Sequence, residues 1–163
     1  MKNTVSVLKM LLLAGLIAAT SNAMAQSRDS LDNKAEEYIR AQDFGHAVPI
    51  LEAAAAMGSA KSQYNYACCL LQGAGVEHND SIANIFLEKA AIQNNIDAQY
   101  KLAHSYRVGR GIQQNFQKAL YWFTQAAELG DLESQENLFY FYKTGDGAPR
   151  DTIKMLYWKW NND

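Results

Sequence analysis

The sequence predicts an all-α fold, an α-α superhelix (solenoid) of stacked helix-turn-helix repeats with a 36-residue period. Three observations carry that prediction. Shifted by 36 residues, the chain superposes on itself without a gap: Gly73, Gly109 and Gly145 coincide, then Gly75, Gly111 and Gly147, then Gln63, Gln99 and Gln135. Within each period, apolar residues recur at three- and four-residue steps, the spacing of one helix face. Each Gly-x-Gly is followed by Asn79, Asn115 or Asp151, the residue types that cap a new helix. With 163 residues, 48% of them apolar, the chain is long enough for one modest domain with its own core. A formal net charge of −2 excludes a nucleic-acid binder that relies on overall basicity.

Residues 1–25 read as an export address. Lys2 and Lys9 supply a positive start, and Met10 to Ala19 is an apolar run of ten residues. Ten helical residues at about 1.5 Å each fall short of the roughly 30 Å of hydrocarbon in a bilayer. Ala23-Met24-Ala25 is the small-x-small pattern of a signal-peptidase site. Cleavage is expected after Ala25, leaving Gln26 as the new N-terminus of a periplasmic or secreted protein with no membrane span. Removing the two lysines makes the net charge about −4, which favours solubility and points to no particular ligand.

The remaining domain, 26–163, divides into units of about 29–58, 59–95, 96–130 and 131–163, with about seven helices in all. In the first unit, Gln42-Asp43-Phe44-Gly45 makes a tighter turn than its successors, while Ala47, Ile50 and Ala54-Ala55 match Ala83, Phe86 and Ala90-Ala91 of the second. The third unit is the clearest. Residues 98, 99, 102, 103 and 106 share one face of its first helix, which Gly109 ends because glycine reaches positive φ without a Cβ clash. Asn115 then opens a second helix whose inward side holds Ala119, Trp122, Phe123, Ala126 and Ala127, and which runs to Gly130. One such hairpin cannot bury its apolar face alone, so neighbours stack.

The string from Ala98 to Gly130, AQYKLAHSYRVGRGIQQNFQKALYWFTQAAELG, resembles the Sel1-like repeat, a tetratricopeptide-like α/α unit. Residues 59–95 resemble it with Tyr66-Ala67-Cys68 as a departure, and 131–160 with Phe139 and Met155 where small residues are usual. Residues 29–58 resemble a tetratricopeptide unit. The resemblance implies a solenoid for protein–protein contact, usually a scaffold or adaptor, and implies no reaction and no cofactor. In tetratricopeptide-like arrays the first helix of each unit lines a concave groove. Carried through the register, the groove positions that would meet a peptide or protein partner are Tyr64, Cys68, Tyr100, His104, Arg107, Tyr140 and Lys143. Tyr and Arg anchor interfaces well, since they bury area and keep a polar tip, and Arg107 or Lys143 would pair with a carboxylate.

Two further readings are weighed against this one. Certain exported, cysteine-rich relatives carry a disulfide in each repeat and a β-lactamase-like activity, which suggests a cell-envelope hydrolase. This sequence lacks the paired cysteines. Its adjacent Cys68 and Cys69 would strain a mutual bridge, and read as a redox or metal pair, as intermolecular bridging, or as small hydrophobes filling a helix face. No nucleophile motif accompanies them, and His46, His78 and His104 are scattered over three units with no metal-ligand spacing, so neither catalysis nor a metal site is expected. The other reading is self-association. The last unit stops at Asp163, about one turn before its expected glycine, so Met155, Leu156, Trp158 and Trp160 are expected to leave an apolar edge. Trp158 and Trp160 would be its contact residues, unless the edge is tolerated as a modest exposed patch.

Overall fold

The computed structural model describes residues 2–160, with side chains from Ala19 to Lys159. Among them the chain forms helices only: α1 (Lys2–Arg40), α2 (Phe44–Ala56), α3 (Ala60–Gln72), α4 (Asp80–Ala91), α5 (Ile96–Val108), α6 (Phe116–Glu128), α7 (Leu132–Thr144) and α8 (Thr152–Trp160). That is eight helices rather than the expected seven. The last, α8, opens at the cap expected of Asp151, whose Oδ1 accepts from the backbone N–H groups of Ile153 and Lys154, and it buries Trp158 within nine residues. Each helix packs on its neighbours in sequence, and α1 also touches α3. None of the described helices is long and apolar enough to cross a membrane.

The boundaries follow from caps. Asn79, Asn95, Asn115 and Asp131 each turn a side-chain oxygen onto a backbone N–H three residues on, at 2.9, 2.9, 2.9 and 2.7 Å, satisfying donors that the first turn of a helix leaves free. The first glycine of each Gly-x-Gly ends α3, α5 and α7 in the left-handed conformation, as the sequence indicates. The second has another role. Gly75, Gly111 and Gly147 lie against the start of the second helix of the preceding unit, at Phe44, Asp80 and Phe116. The triplet therefore caps one helix and seals the seam between two units.

Inside the stack, register positions are shared from unit to unit. Ala47, Ala83 and Ala119 are fully buried, and so are Leu51, Leu87 and Phe123. Amide side chains tie the units together: Nε2 of Gln63, Gln99 and Gln135 donates to the carbonyl of Ala55, Ala91 and Ala127, at the end of the helix before. Each of these last-turn carbonyls also accepts from a backbone N–H just past the helix, of Gly58, Asn94 and Gly130, so the amide is a second donor to it. The series changes character in α8. Met155 is half-buried where the alanines vanish from solvent, and Lys159 is exposed where Leu51, Leu87 and Phe123 are buried.

The expected apolar edge needs correction here. Trp158 is only 8% exposed and belongs to the core, so it offers no contact surface. The exposed apolar side chains of α8 are Ile153, Leu156 and Tyr157. The side chain of Trp160 lies outside the described residues.

Candidate functional site

The first helices of the last three units, α3, α5 and α7, bury one side and leave the other open. On α5 the inward side holds Ala98, Gln99, Leu102, Ala103 and Tyr106, so Tyr100, Lys101, His104 and Arg107 emerge, half-buried, away from it. A recess of about 220 Å³ lies between the end of α3 and the middle of α5, lined by Leu71, Tyr100, Lys101, His104, Ser105 and Arg110. Its chemistry is that of cations against an apolar wall. Burial, then the positive charges of Arg107, Arg110 and Lys101, hold the His104 imidazole below its ordinary pKa and favour the neutral ring. Arg110 is held in place: its Nε donates to Asp80 Oδ1 at 2.9 Å, and a terminal nitrogen reaches the carbonyl of Leu71 at 3.3 Å. His78 Nε2 shares the same Asp80 oxygen at 3.1 Å.

Tyr64 and Cys68 occupy a second recess of about 250 Å³ nearer the N-terminal end, with Ile39, Phe44, Asn65 and Gln72. Burial pushes the Tyr64 phenol well above its usual range, and the neighbouring Cys68 adds to this. Burial also raises the Cys68 thiol, partly offset by its hydrogen bond with Tyr64 and by Lys101. Cys69 faces the core and is pushed up to about 11 by burial. Both cysteines are free thiols, protonated at neutral pH and poor nucleophiles. Cys69 packs as a small hydrophobe.

The remaining positions are dispersed. Arg107 turns toward α7, where it donates to Asn137 Oδ1 at 2.7 Å. The Tyr100 phenol is raised by burial and by its hydrogen bond to Glu133. Tyr140 and Lys143 lie farther along α7, both exposed, with the Lys143 ammonium 5.5 Å from the Phe139 ring centre and 5.9 Å from that of Tyr140. The structure thus joins Tyr64 with Cys68, and Tyr100 with His104, and leaves Arg107, Tyr140 and Lys143 outside both recesses. It adds Lys101 and Arg110. Lys101 stands where the neighbouring units have Asn65 and Asn137, and Arg110 where they have Ala74 and Asp146; a charge that breaks the repeat at both positions is the signal that was there to be read. Among the described residues, no group of three or more His, Cys, Asp or Glu is placed to hold a metal ion.

The model of the Sel1 repeat matches residues 60–95, 96–131 and 132–158, three consecutive units that coincide with the α3–α4, α5–α6 and α7–α8 hairpins. The chain belongs to the Sel1 repeat family. Sel1 repeat proteins generally serve as protein-interaction scaffolds, and their fold is typically non-enzymatic. Among solved structures, a Sel1 repeat protein from Oxalobacter formigenes is 27% identical with a TM-score of 0.77, over 80% of this chain and 56% of that one. A protective antigen of uropathogenic Escherichia coli strains, described as displaying an SLR fold, is 23% identical with a TM-score of 0.79, over 83% of this chain and 30% of that one. Cysteine rich protein B of Helicobacter pylori is 18% identical with a TM-score of 0.56, over 68% of this chain and 96% of that one. The last two share the fold alone. The chain spans about half the length of the first and less than a third of the second. No curated protein matches it.

Proposed function

We propose that this Sel1 repeat chain is a non-enzymatic scaffold of the cell envelope that holds a peptide or protein segment along the face made by α3, α5 and α7, after export and removal of residues 1–25. The observation that carries the reading is the recess between α3 and α5. There, Tyr100 and His104 stand half-buried beside Leu71 and line the recess together, the Tyr100 phenol hydrogen-bonded to Glu133 and its ring edge-on to Phe123. A partly desolvated aromatic beside cations is the kind of site where interface energy concentrates.

The test is affinity capture from native envelope extract with the full chain and with a Tyr100→Ala/His104→Ala variant. A partner retained by the first and lost by the second supports the groove. Equal capture by both places the contact elsewhere on the solenoid and overturns it.

A further inference from the structure

We propose that the α3–α5 recess is a carboxylate seat: it receives a Glu or Asp side chain from an acidic segment of a partner protein, between Lys101, His104 and Arg110 and against the wall of Leu71 and Tyr100. This rests on the groove reading above and specifies the chemistry of what binds there.

Charge is the first argument. The chain as a whole is mildly acidic, yet two permanent cations, Lys101 and Arg110, line this recess beside one imidazole, and the charge of Arg107 acts on that ring from outside it. Lys101 enters no ion pair among the described residues and is half-buried. Arg107 is satisfied by a neutral amide, so its charge is not cancelled. Only Arg110 meets an acid, and it divides Asp80 with His78. The groups that act on His104 are Lys101 and Arg107 from its own helix and Arg110 from the following turn, all positive. Glu133 and Asp131 of the α7 side act on Tyr100 instead. Positive charge held half out of water attracts an anion more strongly than the same charge at an open surface.

Size and wall are the second. About 220 Å³ falls below the usual range of sites for whole small molecules, roughly 300–1,000 Å³, and suits one side chain with its methylenes. Leu71 and Tyr100 offer those methylenes an apolar surface, while the guanidinium and ammonium groups take the oxygens.

A proton is linked to this binding. An incoming carboxylate offsets the repulsion that keeps His104 neutral, so the complex takes up a proton. Affinity therefore rises as pH falls from 8 toward 6, and fades only where the ligand's own carboxyls protonate, near pH 4.3 for Glu.

The test titrates the full chain with acetylated hexaglutamate and with hexaglutamine at pH 6 and pH 8. We expect hexaglutamate to bind at least tenfold more tightly than hexaglutamine, and more tightly at pH 6 than at pH 8. Lys101→Glu is expected to lose at least tenfold. Lys34→Glu, the same charge change on the exposed side of α1, away from the groove face, is expected to keep the affinity. His104→Gln is expected to remove the pH difference. Among the described residues Lys101 makes no hydrogen bond or ion pair, so its variant should melt with the parent, and a melting curve confirms that. Equal binding of the two peptides overturns the carboxylate seat and leaves the groove reading standing. Equal loss in Lys101→Glu and Lys34→Glu reduces the effect to overall charge and also overturns it. Inorganic phosphate or phosphatidylglycerol vesicles competing more strongly than hexaglutamate would overturn it in favour of a phosphate ligand. The groove reading itself fails separately, through equal capture of the envelope partner by the Tyr100→Ala/His104→Ala variant.

Discussion

Gly111 and Gly130 both sit at positive φ, +64° and +96°, but in different surroundings. A Cβ on Gly130 would meet nothing within 4 Å, whereas one on Gly111 would lie 2.5 Å from the carbonyl carbon of Asp80. Gly130→Ala should therefore cost only the left-handed strain, about 1 kcal/mol. Gly111→Ala adds a collision with backbone, which cannot rotate away, and should cost about 3 kcal/mol or more. Denaturant midpoints of the two variants check this; equal losses would mean that the seam between units yields easily. The contrast also shows what a sequence carries at this scale. Gly109 is legible as a cap because its partners lie within its own helix. The closeness of Gly111 to Asp80 is not, because the contact spans 31 residues and depends on how two units stack. The site divides in the same way. Tyr100 and His104 follow from the register, but Arg110 reaches the recess only through a turn anchored on Asp80.

At the scale of the element, the glutamine series shows both the repeat and its lapses. Gln63 is doubly satisfied: Nε2 donates to Ala55, and Oε1 accepts from Gln93 Nε2 at 2.8 Å. Gln99 makes the first bond at 3.0 Å but its buried Oε1 has no partner, because the residue one period after Gln93 is Leu129. An unmet buried acceptor is a cost that a hydrogen bond can remove. Leu129→Gln should restore it and stabilise the chain by about 1 kcal/mol. Leu129 is 47% exposed, so little apolar burial is lost in the exchange. Thermal melting of Leu129→Gln beside Leu129→Ala separates the new bond from the removal of leucine, and no gain in the first over the second would sink the idea. The alignment of Gln63, Gln99 and Gln135 is visible in the sequence. That they hold the last carbonyls of the preceding helix is visible only once the helices are packed.

For the whole molecule the question is where the solenoid begins. Helix α1 runs unbroken from Lys2 to Arg40, across the expected cleavage after Ala25, so helical continuity does not mark the boundary. Packing does. Among the described residues the buried core starts at Ala35, and Ala19 to Met24 are exposed, Met24 by 61%. Two polar contacts of α1 with the first Sel1 repeat lie after residue 25. The Asp32 carboxylate accepts from the hydroxyls of Ser59 and Ser62 at the start of α3, and Glu36 pairs with Lys61 at 2.6 Å. Cleavage after Ala25 would leave fifteen residues of α1, about 22 Å of helix at 1.5 Å per residue, matching the thirteen-residue α2 beside it. A chain starting at Gln26 should thus melt within about 3 °C of the full chain. A chain starting at Ala41 loses α1 entirely, bares Ala47 and Leu51, and should unfold far earlier, since each unit of a stack is stabilised through its neighbours. Expression in a bacterial host with N-terminal sequencing of the periplasmic fraction completes the test. Gln26 at the terminus, together with an unchanged melt, makes residues 1–25 an address that the fold does not need. Early melting of the Gln26 chain would make them part of the domain and remove the case for export.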